Sequence, residues 1–376
     1  MKQRIYADNA ATTKLDSAAF DEMRPYLLEN YGNPSQPYGF AKEPQKALKT
    51  ARERIARCIN ADPDEIFFTS CGTESDNWVI KGVAFYLGKG HTTITSEFEH
   101  HAVLNSAAAI ERLGYPVAYL RPDHSGVIKP TELDRIIANT TGLVSVMLAN
   151  NEIGTIQPIK ELAQIAHEHG ALFHTDAVQA VGHIEIDVKD LGVDFLSASA
   201  HKFNGPKGCG FLYIKKGTQI NPLLDGGAQE SEHRAGTENV ASIVGMARAL
   251  EDNCSCLHDN TERILEMEKA LLSELTAAHV HFHRNGCEPR IPGNISLSLS
   301  GIEGEALLHR LDLRGICVST GSACDSVNTQ ISHVLRAISL DEKLAKGTIR
   351  ISLGKNNTAE EAGIIGKEIV KILNGR

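Results

Sequence analysis

A single lysine, Lys202, follows the small-residue run Ser197-Ala198-Ser199-Ala200-His201 at the end of an apolar strand pattern, Val193-Asp194-Phe195-Leu196. An amine so placed can form an imine with a carbonyl cofactor. Asp176 ends the preceding strand-like run, Ala171-Leu172-Phe173-His174. A carboxylate there can pair with a pyridinium nitrogen and keep the ring an effective electron sink. Lysine and aspartate at the ends of successive strands therefore read as a pyridoxal phosphate site. Cys324, in Ser319-Thr320-Gly321-Ser322-Ala323-Cys324, adds a potential thiolate and turns the site towards sulfur chemistry. Each residue has a plainer reading when taken alone: a surface lysine, a helix cap, a packing cysteine. Their order along the chain is what carries the chemistry.

An anion site accompanies them. Phe67-Phe68-Thr69-Ser70-Cys71-Gly72-Thr73-Glu74 runs from a strand through glycine into a helix whose apolar face includes Ile80, Val83, Ala84 and Leu87. Unpaired N–H groups and the positive end of that helix favour a phosphate, and the Thr73 hydroxyl can add a hydrogen bond. Such a start is by itself an ordinary N-cap, and the coincidence with Lys202 and Asp176 makes it a phosphate cradle. Neither a P-loop nor G-x-G-x-x-G occurs, which removes the main support for a nucleotide ligand.

The elements that must position these groups alternate. From about Asp16 to Leu250, helix-period segments alternate with short apolar runs, the pattern of a mostly parallel sheet covered by helices. Expected strands include residues 65–69, 92–96, 142–148 and 171–174, while Leu162, Ile165, Ala166 and His169 trace a helix face. Ligands of such sheets gather at the carboxyl ends of the strands, where residues 71–75, His100, Asn150-Asn151 and Asp176 fall. After a long helical segment over residues 251–278, the period-two run Ile295-Ser296-Leu297-Ser298-Leu299 announces a second, smaller α+β domain. It would hold a helix over 305–314, the Cys324 loop, a strand over 349–351 and a terminal helix over 359–373.

Composition narrows the partners. The chain has 376 residues, 42% of them hydrophobic, and a net charge of -9 without a basic run, which argues against nucleic-acid binding. The N-terminus meets Gln3 and Asp8 before an apolar leader core forms, and no stretch reaches the length of a membrane span, so a cytoplasmic location is expected. Eight cysteines in so long a chain are too sparse for a disulfide framework. Cys254-Ser255-Cys256 is a weak metal or redox motif, because no second cysteine pair accompanies it. Cys58, Cys71, Cys209, Cys287 and Cys317 are read as structural, with Cys71 beside the phosphate as the exception.

Eight ordered segments resemble the NifS/IscS-type cysteine desulfurases, within the pyridoxal-phosphate-dependent class V aminotransferase superfamily. They are residues 6–13 (Tyr-Ala-Asp-Asn-Ala-Ala-Thr-Thr), 72–75, 99–103 (Glu-His-His-Ala-Val), 149–158, 174–180, the Lys202 segment, 234–239 (Arg-Ala-Gly-Thr-Glu-Asn), and 321–324. The resemblance implies fold type I: a large cofactor-binding domain, residues 15–257, with a mostly parallel seven-stranded sheet, and a small domain formed by residues 1–14 and 258–376. It implies Lys202 bonded to the cofactor, Asp176 on the ring nitrogen, and His100 stacked on the ring with a proton-transfer role. Asn151 and Gln179 would contact the ring oxygen and its surroundings. Gly72, Thr73, Ser199 and His201 would hold the phosphate, with Thr237 reaching it from a second subunit, so that a homodimer is part of the site. Arg350 would bind the substrate carboxylate through its planar fork, with Asn33 as an auxiliary contact. No resident metal is implied, although Cys324 could ligate an iron–sulfur cluster transiently against a scaffold protein.

The expected reaction converts L-cysteine to L-alanine. The freed Lys202 amine removes the α-proton, Asp176 stabilises the electron-rich ring, and the Cys324 thiolate attacks the substrate sulfur to give an enzyme persulfide. That sulfur would serve iron–sulfur cluster assembly or tRNA thiolation through an acceptor protein. The segment through Ser332-His333-Val334-Leu335 has the longer loop form of the NifS/IscS group rather than the short form of the SufS group. Departures from the family pattern are small, at Cys71, Ala228 and Ala235. The sequence ends at Arg376 soon after the terminal helix, so the extension that docks a scaffold in IscS-type members is expected to be lacking. Rival readings are a selenocysteine lyase or another class V enzyme such as an aminotransferase and, more remotely, a non-catalytic thiol or metal chaperone using Cys254 and Cys256.

Overall fold

The computed structural model describes residues 4–320 and 331–375. Cys324 and its loop over residues 321–330 lie outside the described residues. Twelve strands are described: β1 (Ile5–Tyr6), β2 (Ile66–Thr69), β3 (Thr92–Ser96), β4 (Val117–Leu120), β5 (Thr141–Ser145), β6 (Leu172–Asp176), β7 (Phe195–Ser199), β8 (Gly210–Ile214), β9 (Phe282–Arg284), β10 (Asn294–Leu299), β11 (Ile316–Cys317) and β12 (Thr348–Ser352). The large sheet has seven strands in the order β2-β8-β7-β6-β5-β3-β4. Only β8 runs against the others in it. This is the mostly parallel sheet expected from the alternation of elements.

One face of that sheet explains where the site lies. Period-two alternation places Leu143 and Ser145 of β5, Leu172, His174 and Asp176 of β6, and Phe195, Ser197 and Ser199 of β7 on the same side. The register supports this: Ser145 is opposite His174, His174 opposite Phe195, and Asp176 opposite Ser197. At the amino ends the apolar members Leu143 and Phe195 pack with Trp78, Val79 and Val83 of the Gly72–Leu87 helix. Burying side chains such as Trp78 and Phe195 completely stabilises the fold by roughly 2–3 kcal/mol each. At the carboxyl ends the same face turns polar, beneath the start of that helix. The opposite face, with Phe173, Leu196 and Ala198, belongs to the main core.

A second core gathers Ile5, Met267, Leu271, Ile295, Leu297, Ile349, Ile351 and Ile365. It lies between the Leu257–Ala277 and Ala359–Leu373 helices and the antiparallel sheet β12-β10-β9. The N-terminal strand β1 joins it through β11. The long helical segment is two helices, Val240–Ser255 and Leu257–Ala277. Ser332, read as part of the Cys324 loop, instead caps the His333–Ala337 helix, accepting from the Val334 N–H. Val334, Leu335 and Ile338 pack on the main core rather than the second one. No helix among the described residues is long and apolar enough to cross a membrane.

Candidate functional site

A cavity of about 290 Å³ opens at the carboxyl ends of the strands. Gly72, Thr73, His100, Asn151, Asp176, Gln179, Ser199, His201, Lys202 and Arg350 all line it. Residues spread over more than 270 positions of the sequence thus share one chamber.

Lys202 ends the 3-10 turn that follows β7. Its Nζ donates to the carbonyls of Ala10 at 2.6 Å and Ala11 at 2.9 Å. The N-terminal segment therefore holds the amine within the cavity. Gln179 Nε2 donates to the same Ala10 carbonyl at 3.0 Å. Asp176 is 4% exposed, and its Oδ1 accepts from the Val178 N–H at 2.9 Å. Burial pushes its carboxyl up to about 6, against the pull of that hydrogen bond and of the Lys202 charge.

His100 caps the His101–Arg112 helix, its Nδ1 accepting from the Ala102 N–H. That bond assigns the ring proton to Nε2. Burial, with the Lys202 charge next in size, holds the imidazole down at about 4 and therefore neutral near pH 7. His201 is held down at about 4 by the same two causes, and its Nδ1 lies 3.1 Å from Thr12 Oγ1.

The anion cradle has three marks of an intended ligand. Cys71, the N-cap of the Gly72–Leu87 helix, makes no side-chain capping bond, which leaves the first-turn N–H groups to another acceptor. A Cβ at Gly72 would come within 2.5 Å of Val178 Cγ2, so only glycine lets the helix start this close to the strand ends. Ser199 Oγ is buried and has no hydrogen-bond partner. A buried hydroxyl left in that state is costly unless a ligand completes it. Together with an amine at Lys202 and a carboxylate at Asp176, the donor set fits an aldehyde that carries both a phosphate and a ring nitrogen.

Arg350, on β12, is 3% exposed. Its guanidinium donates to the Asn151 carbonyl and to Asp8 Oδ1, each at 3.0 Å, while its Nε has no partner. Two anticipated residues lie elsewhere. Asn33 is absent from the cavity wall and accepts from the Ser35 N–H within its own turn. Thr237 is exposed and also absent from the wall. Glu74 receives a bidentate Arg234, at 2.8 and 3.1 Å, which ties the segment preceding Thr237 to the start of the cradle helix.

The cavity also takes in Asp76, His101, Met147, Glu152 and His333, which sequence reasoning did not single out. Asp76 follows Thr73 by three positions on a helix and so faces the same side, a signal that was available. His333 offered none, because tertiary packing brings its ring to 4.7 Å from that of His101. Cys254 and Cys256 do not act as a pair: the Cys254 thiol hydrogen-bonds with Cys58, and Cys256 is exposed.

Residues 5–364 match the aminotransferase class-V family. The cysteine desulfurase IscS of Dictyoglomus turgidum is 50% identical over 363 residues, covering 96% of this chain and 92% of that protein. The cysteine desulfurase IscS of Methanosarcina thermophila is 46% identical, covering 98% and 92%. A solved NifS-like protein superposes with a TM-score of 0.94 at 40% identity, covering all of both chains. A structure described as SspA in complex with cysteine superposes with a TM-score of 0.84 at 35% identity, covering 94% and 99%.

Proposed function

This chain belongs to the class-V aminotransferase family and is a cysteine desulfurase, and we propose that it works on L-cysteine with pyridoxal phosphate held between Lys202, Asp176 and the start of the Gly72–Leu87 helix. The observation that carries this reading is the convergence of Lys202, Asp176 and the unpartnered Ser199 hydroxyl on one cavity. When bound, pyridoxal phosphate supplies an electron sink conjugated to the α-carbon of the substrate.

The roles of the residues follow from their surroundings. Helix N–H groups, Thr73 and Ser199 take the phosphate, with neutral His201 as a further donor. Asp176, ionised above about pH 6, faces the ring nitrogen. Lys202 Nζ is the base that removes the α-proton, and the carbonyls of Ala10 and Ala11 orient it. His100, neutral with its proton on Nε2, covers the ring and can hand on a proton there. Arg350 Nε is the donor left over for the substrate carboxylate. Cys324 supplies the thiolate: its sulfur bonds to the substrate sulfur as the carbon–sulfur bond breaks, the bonding electrons return to the carbon side, and protonation yields alanine.

The working unit in this proposal is a homodimer in which Thr237 reaches the phosphate of the neighbouring site. Its exposure and its absence from the wall of this chain's own cavity support that reading, as do the exposed apolar side chains Phe20, Leu27, Leu28, Tyr31, Tyr38 and Phe40. The persulfide sulfur is then passed to an acceptor protein. The test is alanine and sulfide release from L-cysteine with a reductant, comparing the wild type with Cys324→Ala. Equal yields from the wild type that vanish in the variant support the proposal. A variant with full activity sinks the persulfide step, and a wild type that binds the cofactor without forming alanine sinks the assignment of the substrate.

A further inference from the structure

Asp76 lines the cavity from the Gly72–Leu87 helix, is 1% exposed, and leaves its Oδ1 without a hydrogen-bond partner. Asp76, Asp176 and His100 present atoms within 4.8 Å of one another. A second carboxyl therefore stands beside the one that faces the ring nitrogen. Two carboxylates this close in a buried site do not both ionise near neutral pH.

The neighbours of Asp76 decide which acid keeps the proton. From β6 come Asp176 and His174, from β7 Ser197, and from the turns before the two covering helices Cys71 and Glu99. His174 lies 3.7 Å from Asp76 but brings no positive charge, because complete burial holds it down at about 3. Burial and then the Asp176 charge push Asp76 well above the usual carboxylate range; the Ser197 hydrogen bond pulls the other way, and the Glu99 charge adds to the rise. Lys202, in contrast, favours the anion on Asp176, as does the Val178 N–H.

We propose that Asp76 is a positioning residue that keeps its proton in the working enzyme, so that the Asp76–Asp176 pair carries one negative charge and presents it from Asp176. This rests on the reading that Asp176 faces the ring nitrogen of bound pyridoxal phosphate. The hydrogen-bond chain behind the pair fits a neutral Asp76. Ser197 bonds with Asp76, lies 3.0 Å from His174 Nε2, and Ser145 lies 2.8 Å from His174 Nδ1. With Asp76 as an acid, every proton in the chain points one way: Asp76 donates to Ser197, Ser197 to His174 Nε2, and His174 Nδ1 to Ser145. An ionised Asp76 would reverse all three and hold a second buried anion.

The experiment uses the holoenzyme at neutral pH and takes the infrared difference between wild type and Asp76→Asn. A neutral Asp76 appears as loss of a protonated-carboxyl stretch with the carboxylate bands unchanged. Loss of carboxylate bands instead overturns the proposal. Cofactor affinity gives the second readout, for which Asp76→Ala is expected to weaken binding about tenfold and Asp76→Asn to restore it to within about threefold, because an amide still donates to Ser197. Failure of Asn to rescue Ala means that the charge mattered, and the proposal falls. Asp176→Asn separates this from the site reading: if it leaves cofactor affinity and absorption untouched, Asp176 does not face the ring nitrogen, whatever the state of Asp76.

Discussion

The wall that carries Asp176, Ser199 and Lys202 comes from neighbouring strands of one sheet and the turn that follows the second of them, whereas the wall that carries Arg350 joins residue 350 to residues 8 and 151 through side-chain contacts. On the first wall, backbone register fixes the spacing, since Asp176 is opposite Ser197 and neither can shift without breaking the β6–β7 ladder. Apolar side chains such as Phe173 and Leu196 anchor those strands from behind. On the second wall the guanidinium is placed by a 3.0 Å ion pair with Asp8 and a 3.0 Å bond to the Asn151 carbonyl. The 2.8 Å pair of Lys355 with Asp16 is a further polar link between the second core and the first. A rigid wall suits a resident cofactor, which must sit the same way in every cycle. Polar contacts that can be exchanged suit a substrate that comes and goes.

If the walls divide the work in this way, substitutions should separate cofactor binding from substrate binding. Lys202→Ala removes both the amine that bonds the cofactor and the base, and alanine formation should fall on the order of a thousandfold or more. Single-turnover assays with cofactor added back check this, and a loss below tenfold would mean that another base acts. Arg350→Lys should raise KM for L-cysteine by about tenfold to a hundredfold, because an ammonium cannot reproduce the planar fork, while cofactor affinity stays as in the wild type. A parallel loss of cofactor would show that the two walls are one unit.

The same contrast governs how much could be read from the sequence. Lys202, Asp176 and Gly72 were legible because each lies at a strand end, just beyond one or at a helix start, and local pattern decides such positions. Strand limits were less so: the run 142–148 reads as one strand, yet β5 stops at Ser145, and Val146, Met147 and Leu148 are buried beyond it. For β7 the reading began too early, at Val193, because Ser197, Ala198 and Ser199 look like a loop while their small side chains fit a fully buried strand end. Pairing of Asp8 with Arg350 spans 342 positions, and no local signal announces it. Asn33, taken from resemblance, keeps to its own turn. Asp76 was missed although its i, i+3 spacing from Thr73 puts it on the cavity side of the helix, because spacing alone does not show that the acid is buried until the sheet beneath it is in place.

Acid should weaken the rigid wall before it weakens the other. With Asp176 at about 6, its anion is present above that pH and lost below it, so affinity for a cationic ring falls as pH drops through 6, by up to about tenfold per unit. Fluorescence titration of the cofactor-free protein between pH 5 and pH 8 measures this, and Asp176→Asn should be weak and flat across the range. His100, held at about 4, stays neutral throughout and contributes no step. A slope that survives in Asp176→Asn would assign the titration to another group.

The smallest effect expected is also the sharpest probe of the first wall. Ser199 Oγ is buried and unpartnered, so in the cofactor-free protein the hydroxyl carries a desolvation cost that no bond offsets. Ser199→Ala removes one oxygen without opening a space that the strand must fill, since β7 and its register stay intact. Thermal stability of the cofactor-free variant should therefore equal or exceed that of the wild type by up to about 1 kcal/mol. Cofactor affinity should move the other way, falling by about fivefold to tenfold as one charge-assisted hydrogen bond to the phosphate is lost. Opposite signs in the two measurements are the signature of a group kept for its ligand rather than for the fold. If stability and affinity fell together, Ser199 would be serving the sheet, and the cradle would rest on the helix N–H groups, Thr73 and His201.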